Sequence, residues 1–368
     1  MVPIEKQVQK TIAIYLSITE GKGSYPLQRA LILANTLKNE AQVIFLYDQE
    51  TPVPSEQFTC HKVMGPSSLI KLIGKLQPDL LIRDGGPSYK EEMMKIQELV
   101  PSILHFDDFG DGGQLADWVI QTLYPETQEL YAEHYIVGPQ TFMVDPSLQS
   151  FRHAGLKRKS PSSSQLVISF GDEDPGNLTF RALRHLKQLQ IPLSVLVLLG
   201  KNYQHDVSEI QMMALSRPNT KVVQAPDNRA ELFSKADMVL CDAGYTPYEV
   251  AVIGVPCIVL AQNEFESNLG FPTERNGFTH LGLGRKVTQS NLLNAIMEPL
   301  LHDARKERAI KKQLQIDIGN SDEKCLRRSV ICWSFLNALG RICYTKGKPR
   351  IGVFPYDKGS VGARDRGA

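Results

Sequence analysis

Short apolar runs alternate with longer amphipathic stretches along most of the chain, and most runs end in Gly, Asp, Asn or Glu. Runs of this length and composition suit strands buried on both faces of a parallel sheet, and the amphipathic stretches suit helices packed on those faces. In the first half the pattern predicts strands at 10–18, 43–47, 79–82, 103–106 and 135–137. Helices fall at 27–37, 67–76 and 91–99, and the segment 116–122 completes the set. In the second half it predicts strands at 166–170, 193–199, 221–224, 238–241 and 257–261, and helices at 178–189, 226–235, 291–301, 303–316 and 322–339. Strict alternation of this kind is an α/β signature with mainly parallel sheets. Between the halves, residues 148–165 run from basic to Pro/Ser-rich without periodicity, which reads as an exposed connection. The expected division is a first Rossmann-like domain at 1–147, a linker at 148–165, a second domain at 166–339 and a loosely ordered tail at 340–368.

The best-defined unit is 236–262. Met238–Cys241 is a buried run, broken by Asp242-Ala243-Gly244, where glycine can adopt backbone angles closed to other residues. Thr246 offers an N-cap hydroxyl, Pro247 suits the first turn, and Glu249 follows the cap by three residues as in a capping box. Gly254-Val255-Pro256 ends the helix, and the next apolar run follows. A helix N-terminus at the carboxyl end of a parallel strand is where α/β folds bind phosphates.

Charge and cysteine content narrow the function classes. The 41 basic and 40 acidic side chains leave a formal net charge of +1, which disfavours bulk electrostatic binding to nucleic acid or to an anionic membrane. No apolar stretch is long enough to span a bilayer, and the N-terminal ten residues lack a signal-peptide core. The six cysteines form no CxxC pair, and Cys241 and Cys257 fall in apolar runs. Reduced core thiols and a cytoplasmic location are therefore expected. The eight histidines show no metal-ligand spacing, so no metal or cofactor is assigned.

Candidate chemistry collects at the predicted strand ends. Gly21-Lys22-Gly23-Ser24 is a glycine-bearing turn but only part of a dinucleotide fingerprint. Asp84, Asp107 and Asp108 follow strands, where carboxylates can transfer protons or bind a cation, and equally can cap a turn. Gly171-Asp172-Glu173-Asp174-Pro175-Gly176-Asn177 precedes a helix, and the two glycines are expected to leave N–H groups open toward a diphosphate. The three carboxylates of that loop would repel phosphate, so contacts there fall to the backbone. Lys157-Arg158-Lys159 reads first as a solvated cluster.

Together these motifs resemble a known family. Phe170 through Thr179 looks like a GGSDPxNLT loop. Ala236-Asp237, Ala243-Gly244, Thr246, Glu249 and Gly254-Val255-Pro256-Cys257 look like an AD…GG-[ST]-xxE…GVPC stretch, and Leu281-Gly282-Leu283-Gly284 matches an LGLG element. In the first half Asp107-Asp108, Gly138-Pro139 and Gln28-Arg29-Ala30-Leu31 match DD, GP and a helix beginning xRxL. These are motifs of the bacterial UDP-sugar hydrolases of pseudaminic acid synthesis and of spore coat polysaccharide biosynthesis proteins, similar in turn to the peptidoglycan N-acetylglucosaminyltransferase. The resemblance covers about residues 10–335 and is strongest in the second domain.

The resemblance implies a GT-B architecture, two αβα domains facing a cleft, and an enzyme that cleaves the sugar–diphosphate bond of a nucleotide sugar, UDP-type by likeness, delivering the sugar to water or to an acceptor. It places Gly171, Asp174, Asn177, Gly244, Tyr245 and Thr246 at the nucleotide diphosphate and Glu249 at the ribose diol. A carboxylate suits that last role, because its two oxygens can accept two hydroxyls. Gly21, Gly23, Ser24 and Arg29 would line the sugar or acceptor side. No cofactor is implied. The chain departs from the family at one telling point: the family's first-domain turn reads GxGH, and here no histidine follows Gly23. Serine near its free pKa is a poor base, which leaves Asp84, His105 or a substrate group as the candidate proton acceptor, Asp84 first. The same departure supports an alternative, a catalytically silent nucleotide-sugar-binding protein. A dehydrogenase is disfavoured, since neither half carries GxGxxG with a later acidic residue.

Overall fold

The computed structural model describes residues 10–17, 25–48, 56–126, 132–157, 164–189 and 191–318. Gly21, Gly23 and Ser24, the helix expected at 322–339 and the tail from 340 lie outside the described residues.

Two separate parallel sheets carry the chain. The first contains β1 (Thr11–Leu16), β2 (Gln42–Tyr47), β3 (Thr59–Lys62), β4 (Leu80–Asp84), β5 (Ile103–Phe106), β6 (Trp118–Gln121) and β7 (Tyr135–Val137), in the order β3-β2-β1-β4-β5-β6-β7. The second contains β8 (Ser164–Ser169), β9 (Leu193–Leu199), β10 (Thr220–Gln224), β11 (Met238–Cys241), β12 (Cys257–Ala261) and β13 (Phe278–Leu283), in the order β10-β9-β8-β11-β12-β13. Both are doubly wound, and each reverses direction where β1 meets β4 or β8 meets β11. The crevice beyond the strand ends at such a reversal is where open α/β sheets hold ligands.

Helices α1 (Tyr25–Leu37), α2 (Pro66–Leu76) and α3 (Lys90–Gln97) cover the first sheet, and α4 (Pro146–Gln149) lies at the crossing to the second. The second sheet is flanked by α5 (Leu178–Leu186), α6 (Val207–Leu215), α7 (Arg229–Ser234), α8 (Thr246–Ile253), α9 (Glu264–Ser267), α10 (Gln289–Leu301) and α11 (Asp303–Leu314). Central strands such as β11 and β12 are buried along their whole length, which is why their sequences are apolar without alternation. Helix α8 is apolar almost all round because Thr246, Pro247, Tyr248 and Val250–Ile253 are all buried. It packs on the sheet, on α4, α7 and α11.

Several elements differ from the sequence reading, among them β3, β13 and α6. Strand β3 reads TCHK and is half-buried at the sheet edge, so it carries no apolar run to detect. Strand β13 contains the Leu281-Gly282-Leu283 portion of the glycine motif, and Gly282 takes φ 80° inside it. Helix α6 starts at an Asp206 cap whose side chain accepts from Ser208 N–H. The first part of the segment expected as an exposed connection is also packed: Leu148 is buried, and Phe151 and Ala154 lie on the same core. Gly155 meets the backbone of Gly254 so closely that an added Cβ would fall 1.8 Å from its carbonyl oxygen.

The two units share a buried aromatic column. Tyr25 stacks on Phe142 at 4.6 Å, Phe142 on Tyr248 at 5.0 Å, and Tyr248 on Phe271 at 3.7 Å, with ring planes within 12° of parallel. Tyr248 Oη donates to the Thr122 carbonyl at 2.5 Å. One apolar core thus runs from the first unit into the second.

Candidate functional site

The switch point of the second sheet opens into a cleft of about 940 Å³, counting the space continuous with solvent. Its walls come from the loop after β8 (Phe170–Pro175), the start of α8 (Asp242, Gly244–Thr246, Glu249), the end of β12 (Gln262, Asn263, Phe265, Glu266), Arg229 of α7, and Tyr25, Gln28 and Leu123 of the first unit. Gly171, Asp174, Gly244, Tyr245, Thr246 and Glu249 therefore all line one cleft.

Acids of the protein itself occupy much of the amide surface there. Leu178 N–H and Thr179 N–H donate to Asp174 at 2.8 and 2.9 Å, which caps α5 with a buried carboxyl. Ala243 N–H and Gln262 N–H donate to one oxygen of Glu266 at 3.2 and 2.8 Å. Gly244 N–H donates to Asp242 at 3.3 Å. Gly176 N–H, expected to be open toward a diphosphate, donates instead to the Gln262 side chain at 2.9 Å. Gln262 Nε2 reaches back to Asp174 at 2.9 Å, so one amide side chain stitches the end of β12 to the loop after β8.

These acids sit in an environment that disfavours their ions. Burial pushes the Glu266 carboxyl up to about 8, reinforced by Asp242 and opposed by the two N–H donors. Burial raises Asp242, against the pull of the Thr246 hydroxyl and Arg229. Glu249 is raised by burial too, with Arg229 drawing it down and Asp242 pushing it up. Arg229 donates to Glu249 at 3.1 Å and is the one cationic side chain lining the cleft among the described residues.

Several expected placements are corrected. Thr246 does not cap α8: the cap position is Tyr245, and the Thr246 hydroxyl engages Asp242 inside the first turn. Glu249 closes no capping box and pairs with Arg229. Gly244 keeps an ordinary φ, and its smallness is used differently: an added Cβ would lie 2.9 Å from the Asp242 carboxylate. Asn177 takes a left-handed backbone (φ 48°), accepts from Tyr203 Oη at 3.1 Å and is not among the residues lining the cleft. Tyr245 points its hydroxyl across to the first unit, donating to Asp107 at 2.8 Å.

Arg29, expected on the sugar side, is 0% exposed. Its guanidinium binds Asp84 through two bonds of 2.8 and 2.9 Å and Asp107 through one of 2.9 Å. It also lies 4.4 Å from the Phe106 ring centroid. Asp84 thus has both oxygens engaged and is absent from the cleft wall, which withdraws it as a base in this geometry. His105 is equally withdrawn, fully buried with Nδ1 2.5 Å from Asp108. Burial lowers the pKa of that imidazole, against the pull of Asp108. Asp108 also accepts from Ser88 Oγ at 2.5 Å and from the Ser88 and Gly110 N–H groups at 2.8 Å. The adjacent aspartates are structural ties, and among the described residues no group of three or more His, Cys, Asp or Glu could hold a metal ion. Cys241 and Cys257 are buried and free, with sulfurs 3.4 Å apart.

Sequence reasoning passed over Arg229, Gln262 and Glu266 as site residues. A second polar strand end beside the first, at 262–266, was the available signal for two of them. Arg229 carried none, because no motif marks the start of α7 and only its packing on α8 brings the guanidinium to Glu249.

Gly200 packs directly behind Asp172 in the loop after β8. An added Cβ there would lie 2.1 Å from the Asp172 carbonyl oxygen and 2.3 Å from its Cα. Gly200→Ala is expected to displace the 171–175 loop and to destabilise the protein by about 1–3 kcal/mol, as overpacking does. Denaturant unfolding of the variant checks it, and an unchanged midpoint would refute the close approach.

No protein-family model matches the chain. Over 269 residues it is 25% identical to an uncharacterised protein of Methanocaldococcus jannaschii, covering 68% of this chain and 56% of that protein. Over 286 residues it is 23% identical to spore coat polysaccharide biosynthesis protein SpsG of Bacillus subtilis, covering 74% of this chain and 84% of that one. The chain thus spans little more than half the length of the first relative. Among solved structures, MurG of Acinetobacter baumannii aligns with a TM-score of 0.63 at 18% identity, covering 87% of this chain and 98% of that one. The UDP-GlcNAc 2-epimerase of Neisseria meningitidis, solved bound to UDP-GlcNAc, aligns at 0.53 and 14% identity, covering 89% and 100%. The fold is therefore the two-domain GT-B fold. The likeness to spore coat polysaccharide biosynthesis proteins read from the motifs recurs in the aligned relative.

Proposed function

We propose that this chain is a nucleotide-sugar enzyme of polysaccharide biosynthesis, acting on a UDP-type donor in the cleft at the second switch point. The observation that carries the reading is the convergence of the Gly171 turn, the α8 N-terminus, Glu249 and Arg229 on one cleft facing the first unit. The α8 N-terminus supplies a partial positive charge for a diphosphate, and Arg229 supplies a full one. Glu249, one turn into that helix, accepts the ribose hydroxyls. The relative named for spore coat polysaccharide biosynthesis and the fold neighbour solved with UDP-GlcNAc support the pathway and the ligand class.

UDP is expected to raise the melting temperature, by the equivalent of about 2.7 kcal/mol at a hundredfold excess over its Kd. Glu249→Ala should remove most of that shift, measured against the variant's own melting temperature without UDP. An undiminished shift would take Glu249 out of the ribose role. Incubation with a panel of UDP- and CMP-sugars, with and without acceptor sugars, should release free nucleotide and separate hydrolysis from transfer.

A second reading has its own support. Asp84 and His105, the two protein groups nominated as bases, are both buried and committed to structural partners. A nucleotide-sugar-binding protein without catalysis would need only the second-unit cleft. Binding of a donor with no nucleotide release from any member of the panel would favour it.

A further inference from the structure

The mouth of the cleft carries an aromatic corner that no core accounts for. Phe265, on α9, lines the cleft and is 45% exposed, and Phe109, after β5 in the first unit, is 42% exposed. Their rings meet edge to face, centroids 4.9 Å apart at 82°. Neither ring belongs to a buried hydrophobic cluster. Exposed large apolar groups set at the edge of a polar cleft point to a ligand face.

Strand order says which part of a ligand reaches them. Arg229 and Glu249 belong to α7 and α8, which flank β11, whereas Phe265 follows β12, the next strand over. A donor with its ribose at Glu249 and its diphosphate across the start of α8 therefore extends its remaining end toward β12 and the first unit. That end is the sugar. Pyranose rings present C–H bonds, weakly positive, on one face, and these suit the negative face of an aromatic ring. Beside Phe265, Asn263 also lines the cleft; its Oδ1 accepts from Glu266 N–H, and its amide nitrogen is able to donate to a sugar hydroxyl.

We propose that Phe265 and Phe109 form the sugar subsite, Phe265 stacking on the pyranose face and Phe109 bounding it from the first unit. This rests on the nucleotide-sugar reading and adds to it the residues that discriminate a sugar from its absence. Titration calorimetry of the full chain with UDP, UDP-N-acetylglucosamine and UDP-glucose tests it. The wild type is expected to bind at least one of the sugars more tightly than UDP. Phe265→Ala and Phe109→Ala should cut that preference at least fivefold while the Kd for UDP changes less than twofold, and Phe265→Tyr should retain it. Both positions are solvent-facing, so unchanged melting temperatures are expected and verify the fold. Equal losses for UDP and UDP-sugars, or none for either, would overturn the subsite and leave the nucleotide site standing. Failure of the wild type to bind any of the three would overturn both.

Discussion

Replacing Arg29 by methionine is expected to cost about 3–5 kcal/mol, the usual loss when one partner of a buried ion pair is removed. The substitution leaves the Asp84 and Asp107 carboxyls buried, at 2% and 0% exposure, without the cation between them. Asp107 is the more consequential of the two. Its other oxygen accepts from the Thr122 and Leu123 N–H groups at 2.7 and 2.8 Å, and Tyr245 leans on it from α8. A loss of this size is a large share of a typical domain's stability. Urea unfolding should therefore show a sharply lowered midpoint. Adding Asp84→Leu to Arg29→Met should recover part of the loss, because paired apolar replacements avoid the orphaned charge. A single-variant loss under about 1 kcal/mol would show that the triad is not a principal tie.

The second large effect is expected at Tyr248, which is 1% exposed in the middle of the aromatic column. Tyr248→Ala removes a ring flanked by Phe142 and Phe271 and should cost about 3–5 kcal/mol. Tyr248→Phe keeps the stack but leaves the Thr122 carbonyl without its donor, at a cost of about 1–3 kcal/mol. The difference between the variants isolates packing from hydrogen bonding. Because the column joins the units, both should unfold in one transition that calorimetry resolves as single. Two separated transitions in the wild type would contradict the shared core.

The parts of the fold that were readable from the chain are those where burial alone chooses the residues. Strands β5, β9 and β11 coincide with apolar runs to the residue, since both faces of a central parallel strand need the same chemistry. Edge strands escape that constraint, so β3, spelled by Thr59-Cys60-His61-Lys62, left no trace. The helix after β11 was found, but its first residue was placed by the cap preference of threonine. In the structure the Asp242 carboxylate captured that hydroxyl instead. Arg29, Asp84 and Asp107 were each singled out for chemistry, yet their mutual engagement depends on β1 pairing with β4 and on where α1 lands. No local pattern encodes a meeting between residues 55 positions apart. The cleft itself was legible because glycines, a helix start and an acid recur at fixed spacings. Arg229 was not, because no motif marks it and its pairing with Glu249 depends on how α7 packs on α8.

The seat of Glu266 has a bearing on alkalinity. A carboxyl lifted from about 4.3 in an unfolded chain to about 8 in the native state makes the folded molecule the better proton holder across that interval. Conformational stability from this group is accordingly full below about pH 4, falls as pH rises toward about 8 and levels off above that, the reverse of a salt-bridged acid. For the diphosphate ligand proposed above, a protonated Glu266 at neutral pH would spare the cleft one negative charge. Raising the pH through about 8 strips the last of that proton, so binding of the proposed diphosphate is expected to weaken there, after native stability from this group has already fallen.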